Sequence, residues 1–201
     1  MTTANAITIG RILLVVPFVI AFLANTSWNL TIALAIFVAA ALSDFLDGWI
    51  ARKKGEVTAI GATLDPIADK LIVTAALILL VKNGVIRGID ILPMLVIVLR
   101  EVLISGLREA VSKGLGDLPV ARLSKWKTTM QLIACGALLA VAPSGLFGPA
   151  GPLKYQQSPD LPALASFTLW IAAILSAITG AKYIGAVIQM MVQQPKTEEA
   201  D

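Results

Sequence analysis

Six long apolar runs, separated by short polar connectors, constrain the fold of this chain more than any other feature. Of its 201 residues, 57% are hydrophobic and only 14% are charged, whereas a soluble domain has about 25% charged residues. The runs are long enough to form membrane-spanning helices. We predict an all-α, polytopic membrane protein with six transmembrane helices in a single domain over residues 1–192, followed by a short polar tail at 193–201.

The apolar runs give approximate bounds for the predicted helices. These are Thr8–Ala24, Leu30–Arg52, Gly61–Val81, Ile89–Val111, Trp126–Val141 and Leu161–Val192. Basic residues concentrate on one side of the predicted bundle: Arg52, Lys53, Lys54, Lys113, Arg122, Lys125, Lys127 and Lys196. The other side has only Lys82, Arg87 and Lys154. Because positively charged connectors stay in the cytoplasm, we predict that both termini lie on the cytoplasmic side.

Composition also excludes several classes of function. The chain has no histidine, which removes histidine general-base catalysis and histidine metal ligation. Its net charge is only +3 and its basic residues are dispersed, so a nucleic-acid partner is not expected. The single cysteine, Cys135, lies in an apolar run and cannot form an intrachain disulfide.

Four aspartates lie against these apolar runs, at positions 44, 47, 65 and 69. Asp44 and Asp47 are three residues apart and Asp65 and Asp69 four apart, so each pair lies on one helix face. A charged side chain at mid-membrane depth costs roughly 2.5–3.5 kcal/mol, so either several aspartates are protonated or cations neutralise them. A divalent metal is the simpler answer. An all-oxygen site suits Mg²⁺, Mn²⁺ or Ca²⁺, and four carboxylates are enough for two ions.

Small residues and one arginine accompany the aspartates. Gly48, Ala51 and Gly61 leave room for a ligand or for a neighbouring backbone, and Arg52 follows Gly48 by one turn, where it can meet a phosphate. Each feature alone also fits helix packing, and a single intramembrane aspartate also fits a proton relay or a cation path. The combination favours a binding site.

The segment from Asp44 to Asp69 resembles, position for position, the signature D-x2-D-G-x2-A-R-x8-G-x3-D-x3-D of the CDP-alcohol phosphotransferase family. That family is built from six membrane helices, so the resemblance covers nearly the whole chain. The stretches "NAITIGRILLVVPFV", "REVLISGLRE" and "KWKTTMQ" are similar to the branch whose acceptor is sn-glycerol 3-phosphate. The stretch "TGAKYI" departs from this branch, which commonly has a Ser-Gly type pair shortly before a tyrosine.

The resemblance implies a metal-dependent enzyme of phospholipid biosynthesis in the cytoplasmic (inner) membrane of a bacterium. Such an enzyme transfers the phosphatidyl group of CDP-diacylglycerol to sn-glycerol 3-phosphate, giving phosphatidylglycerophosphate and CMP. It implies Mg²⁺ or Mn²⁺ as cofactor, two ions per active site, held by all four aspartates, with Asp69 as the base that accepts the hydroxyl proton. The residues implied to bind CDP-diacylglycerol are Asn5, Thr8, Gly48, Arg52 and Thr58.

The acceptor phosphate needs further cations. Arg100 and Arg108 are eight residues apart on the fourth predicted helix, hence on one broad face, and Lys127 opens the fifth. We predict that these three residues bind the acceptor phosphate, because an arginine fork suits phosphate oxygens. The alternatives are that Arg100 pairs with Glu101 and that Lys127, like Lys125, is only a positively charged membrane anchor.

Two rival functions stay open at this point. One keeps the family and changes the acceptor to serine, inositol, inositol phosphate or a second phosphatidylglycerol. The other is a cation transporter or channel with an aspartate-lined path, although transporters place acids deep within several helices. Lys182 either reaches the cytoplasmic surface or lines the acceptor cavity. Membrane lipid is an expected partner, and these residues leave open whether the chain forms the homodimer common in the family.

Overall fold

A computed structural model describes the backbone of residues 3–54, 59–114, 123–151 and 160–193. Within these ranges, the side chains of residues 3–7, 44–54, 59–66, 69, 112–114, 123–125 and 193 are outside the description. The helices are α1 (Thr3–Leu23), α2 (Asn29–Lys54), α3 (Ala59–Lys82), α4 (Ile91–Gly114), α5 (Leu123–Val141) and α6 (Asp160–Gln193). The predictions of an all-α fold and of six helices are therefore confirmed.

Except at Val141, the helix bounds differ from the predicted ones by one to five residues, and two of the starts have a clear local cause. The first helix begins at Thr3, because the polar turn before the apolar run continues the helix. The fourth begins at Ile91 and not at Ile89, because Gly88–Asp90 forms a separate 3₁₀ turn. The preceding helix ends at Lys82, and Gly84 follows with a left-handed φ of 69° while the amide of Val85 donates to the carbonyl of Leu80 at 3.0 Å. This is the usual glycine-terminated end of an α-helix.

The six helices form two groups of three that meet at α5. In the first group, α1 packs against both α2 and α3; in the second, α6 packs against both α4 and α5. The fifth helix also contacts α2 and α3. Buried aromatic rings hold α1 to α2, with the centroids of Phe18 and Phe37 6.2 Å apart. The residues of the site therefore lie on helices that share one continuous apolar core.

Hydrogen bonds fix the directions of the helices. The indole of Trp170, about three turns into α6, donates to Asp90, just before α4, at 2.9 Å. Much further along both helices, the guanidinium of Arg108 lies over the ring of Tyr183. Helices α4 and α6 therefore run parallel, and we call the end at which α1 begins and α6 ends the terminal end of the bundle.

The outside of the bundle is apolar. Large hydrophobic side chains are exposed on all six helices, for example Leu13, Leu42, Ile78, Leu99, Ile133 and Phe167. Among the described residues, one helix is long and apolar enough to cross a membrane, Asp160–Val192, with a mean hydropathy of 2.0. Shorter apolar stretches occupy Thr8–Leu23, Asn29–Ser43 and Trp126–Val141.

The connector after α5 folds back closely on the end of that helix. The amide of Phe147 donates to the carbonyl of Ala140 at 2.8 Å, and the amide of Ala150 to that of Pro143 at 2.9 Å. A Cβ atom at Gly148 would lie 1.9 Å from the carbonyl oxygen of Ala142. Only glycine fits this approach of two backbone segments.

We therefore expect Gly148→Ala to destabilise the protein, because the two backbone segments must separate to admit the methyl group. A misfit of this kind costs about 1–3 kcal/mol, and each kcal/mol lowers the unfolding midpoint by roughly 2–4 °C in a chain of this size. The measurement is thermal unfolding in detergent. Gly136→Ala is the control, since a Cβ atom at Gly136 meets nothing within 4 Å; an equal loss in both variants would contradict this account of the connector.

Candidate active site

The four predicted metal ligands lie on two helices of the first group. Asp44 and Asp47 belong to α2, and Asp65 and Asp69 to α3, so each pair spans about one helical turn as the spacing predicts. Their side chains lie outside the described residues, as do those of Asn5, Gly48 and Arg52, and Thr58 lies outside the description altogether. Among the described side chains, no group of three or more acidic, histidine or cysteine residues forms a second candidate metal site.

The helix α1 contributes two buried polar side chains to this half of the bundle. Thr8, predicted to face the CDP group, is buried, and Arg11 is only 2% exposed. Arg11 is not among the predicted site residues, although it follows Thr8 by one turn. Arg11 lies seven residues before Phe18 on α1, and Asp44 lies seven residues after Phe37 on α2. Seven residues are about two helical turns, so the contact between Phe18 and Phe37 sets Arg11 at the level of Asp44.

A buried ionic cluster occupies the second group of helices. Its centre is Glu101 of α4, which is 9% exposed. The oxygen Oε1 of Glu101 accepts hydrogen bonds from the ammonium of Lys127, from Arg100 Nη1 at 3.1 Å and from Gln131 Nε2 at 3.2 Å. Lys127, at 4% exposure, is as buried as the core residues around it. The interpretation of Lys127 as a membrane anchor is therefore wrong, whereas the alternative that Arg100 pairs with Glu101 is confirmed.

Arg100 is also held from α6. Its Nη2 donates to Thr179 Oγ1 at 3.3 Å, and its side-chain stem passes over Gly180, where a Cβ atom would lie 3.0 Å from Arg100 Cγ. The Nε of Arg100 is buried and has no hydrogen-bond partner among the described residues. Thr179 and Gly180 belong to the stretch "TGAKYI", and their contacts with Arg100 give that stretch a role.

Arg108 lies two turns further along α4, towards the terminal end. Its guanidinium carbon is 5.8 Å from the centre of the Tyr183 ring, in the geometry of a cation–π contact. Arg100 and Arg108 thus both contact α6, as their spacing predicts, but Arg108 is exposed whereas Arg100 is largely enclosed. Lys182, adjacent to Tyr183, is exposed on the surface of α6.

A further polar link joins α4 to α3. The ammonium of Lys70 donates to the hydroxyl of Ser105, which in turn donates to the backbone carbonyl of Glu101. Beside this link is a cavity of about 10 Å³, whose polar lining is Lys70, Thr74, Glu101, Lys127 and Gln131. That volume is roughly what one water molecule needs. The link places the ionic cluster next to the helix that carries Asp65 and Asp69.

The site therefore consists of two charged regions on facing halves of one bundle. The acidic positions belong to α2 and α3, and the described cations Arg100, Arg108 and Lys127 belong to α4 and α5. The sequence profile of the CDP-alcohol phosphatidyltransferase family matches residues 1–179. The chain belongs to the CDP-alcohol phosphatidyltransferase family. It is therefore a transferase, and the family expected from the Asp44–Asp69 signature is confirmed.

Individual relatives are similar over most of the chain. A CDP-diacylglycerol–glycerol-3-phosphate 3-phosphatidyltransferase of Rickettsia felis is 38% identical over 182 residues, which cover 90% of this chain and 93% of that protein. The protein of the same name from Haemophilus influenzae is 37% identical over 181 residues, 89% of each chain. The CDP-diacylglycerol–glycerol-3-phosphate 3-phosphatidyltransferase 2 of Arabidopsis thaliana is 40% identical over 151 residues. These cover 70% of this chain and 65% of the Arabidopsis protein.

The contact between Gly180 and Arg100 gives a direct test of this half of the site. Gly180→Ala would push the Arg100 stem by a few tenths of an ångström, and an off-rotamer side chain costs about 0.5–1.5 kcal/mol. We expect kcat/KM for the acceptor to fall roughly two- to tenfold with little change in the unfolding midpoint. Gly185→Ala on the same helix is the control, because a Cβ atom there meets nothing within 4 Å; identical kinetics in the two variants would remove Arg100 from the acceptor site.

Proposed function

We propose that the protein transfers the phosphatidyl group of CDP-diacylglycerol to the hydroxyl of sn-glycerol 3-phosphate, releasing CMP and phosphatidylglycerophosphate. The observation that carries the choice of acceptor is the set of cations on α4 and α5. Arg100 and Arg108 contact α6, Lys127 contacts Glu101 of α4, and the Lys70–Ser105 link joins this region to the helix that bears Asp65 and Asp69. The names of the relatives in Rickettsia felis and Haemophilus influenzae support the same reaction.

On this proposal the acidic half of the site binds the donor. Asp44, Asp47, Asp65 and Asp69 would hold two Mg²⁺ or Mn²⁺ ions, since four carboxylates on adjacent helices form an all-oxygen set that suits these ions. When bound, the ions neutralise the pyrophosphate of CDP-diacylglycerol and the charge on departing CMP. Asn5, Thr8, Gly48, Arg52 and Thr58 contact the CDP group, and the buried guanidinium of Arg11 adds positive charge on the same side.

The cationic half of the site binds the acceptor. Arg108, the exposed cation, meets the phosphate first, and the Nε of Arg100 and the ammonium of Lys127 lie deeper along the same side of the bundle. Two unit charges 4 Å apart attract by only about 1 kcal/mol in water but by about 4 kcal/mol at an effective dielectric constant near 20. A partly enclosed site can therefore distinguish a phosphorylated acceptor from glycerol. Asp69 accepts the proton of the attacking hydroxyl as the new ester bond forms and CMP leaves.

The apolar exterior supports a membrane location. A monomeric soluble protein rarely exposes contiguous apolar patches larger than a few hundred Å², yet all six helices here present large hydrophobic side chains outward. All six helices then span the bilayer, the short apolar stretches lying in its core and the charged helix ends at its surface. Both termini and the active site lie on the cytoplasmic side of the inner membrane, where the polar substrates arrive, while the lipid tails enter between helices.

The decisive experiment for this proposal measures CMP release by purified protein with CDP-diacylglycerol, Mg²⁺ and a panel of acceptors. The panel is sn-glycerol 3-phosphate, glycerol, serine, inositol and inositol phosphate. We expect release with sn-glycerol 3-phosphate, and rates with glycerol lower by on the order of a hundredfold, because charged hydrogen bonds to the phosphate are lost. Comparable rates with serine or inositol would contradict sn-glycerol 3-phosphate as the acceptor, while the family assignment would stand.

Arg108 provides the matched variant for the same assay. Arg108→Ala should raise the KM for sn-glycerol 3-phosphate by about ten- to hundredfold and leave the KM for CDP-diacylglycerol nearly unchanged. Lys182→Ala, which also removes one exposed cation close to Tyr183, should change neither. A rise in the donor KM in Arg108→Ala would assign this arginine to the nucleotide instead.

Metal dependence is a separate prediction. EDTA should abolish CMP release, and Mg²⁺ or Mn²⁺ should restore it, because without a cation the acidic positions repel both one another and the donor pyrophosphate. Asp47→Asn and Asp65→Asn should each abolish activity while the protein still elutes as a folded species in detergent. Asp160→Asn, at the start of α6 and remote from these positions, is the control; full turnover in chelator would end the metal hypothesis.

A further inference from the structure

The most heavily shared polar atom in the described part of the bundle is Oε1 of Glu101. It accepts from Arg100 on its own helix and from both Lys127 and Gln131 on α5. Arg100 is in turn held by Thr179 of α6. One carboxylate oxygen thus determines where the charged ends of two proposed phosphate-binding residues lie.

Helix association alone does not require this arrangement. Burying a carboxylate costs several kcal/mol, and well-packed apolar residues of similar volume often stabilise a fold as well as or better than a buried ion pair. Arg100 and Lys127 carry like charges and would repel each other at close range without an anion between them. The carboxylate therefore keeps two cations side by side, which an apolar contact cannot do.

The charge balance points to the ligand. The cations Lys70, Arg100 and Lys127 and the one carboxylate of Glu101 together carry two net positive charges. Further along α4, the charges of Arg108 and its neighbour Glu109 balance. A phosphate monoester carries close to two negative charges at neutral pH. The charge of the region thus matches a phosphorylated small molecule, and without Glu101 the region would carry one more positive charge and no anion between Arg100 and Lys127.

We propose that Glu101 is a positioning residue for the acceptor phosphate: it sets the spacing of the Arg100 guanidinium and the Lys127 ammonium and does not itself touch the reacting atoms. This inference rests on the proposed function, because it takes the phosphate of sn-glycerol 3-phosphate as the ligand. The backbone carbonyl of Glu101 also accepts from Ser105, which holds Lys70 of α3. The same turn of α4 therefore aligns the acceptor cations with the helix that carries Asp69.

The test is a comparison of steady-state kinetics in Glu101→Gln, Glu101→Asp and wild-type protein, with each substrate varied in turn. We expect Glu101→Gln to raise the KM for sn-glycerol 3-phosphate about tenfold or more, as loss of a charged hydrogen-bond partner does, and to leave the KM for CDP-diacylglycerol within about twofold. Glu101→Asp keeps the charge on a side chain one methylene shorter and should recover part of the loss. Asp90→Asn, the same charge change just before the opposite end of α4, keeps a side-chain oxygen that can accept from Trp170 and should leave both KM values unchanged.

A purely structural role would lower the unfolding midpoint and the yield of active protein without moving the acceptor KM. An unchanged acceptor KM in folded Glu101→Gln, or an equal rise in both KM values, would overturn the inference. If Glu101→Gln does not fold, the result for Glu101→Asp decides, since an unchanged acceptor KM there would overturn it equally. The proposed function itself would be overturned if wild-type protein released no CMP with sn-glycerol 3-phosphate. This result distinguishes a failure of the proposed function from a failure of the role given to Glu101.

Discussion

The hydrogen bonds to the Glu101 carboxylate set the positions of the polar side chains that link α4, α5 and α6. A buried carboxylate is stable only when donors surround it, and here Lys127 and Gln131 approach from one helix while Arg100 comes from its own. The position of Arg100 then requires the small residue Gly180 beside its stem and a hydroxyl at Thr179. Three segments far apart in the sequence are thus held by contacts that begin at one charged group.

The two halves of the bundle divide the chemistry between them. The first three helices carry the acidic signature and the buried Thr8 and Arg11, whereas the last three carry the cations that suit an acceptor phosphate. The fifth helix contacts both halves, and the link from Lys70 to Ser105 adds a polar connection. On the proposed function, such an arrangement would keep two anionic substrates on separate sets of charges until they meet, which would reduce their mutual repulsion.

The helices could be predicted from the sequence because an apolar run of this length has few stable structures other than a helix. The family could be predicted as well, because the signature from Asp44 to Asp69 places chemically specific residues at helical spacing. The groups that the charged side chains contact could not be predicted from the sequence. Neighbouring residues such as Arg100 and Glu101 point in different directions from a helix, so the long-range contact of Lys127 with Glu101 depends on how α4 and α5 pack. The burial of Arg11 likewise follows from the packing of α1 between α2 and α3.

The central claim, that Glu101 acts on the acceptor through the cations it holds, is tested most directly by a double-mutant cycle. The measured quantity is kcat/KM for sn-glycerol 3-phosphate in Glu101→Gln, Lys127→Met and the double variant. We predict a coupling free energy of about 1 kcal/mol or more, since residues in one hydrogen-bonded network are not independent, so that the double variant is less impaired than the product of the single effects. Losses that add to within about 0.5 kcal/mol would contradict the account.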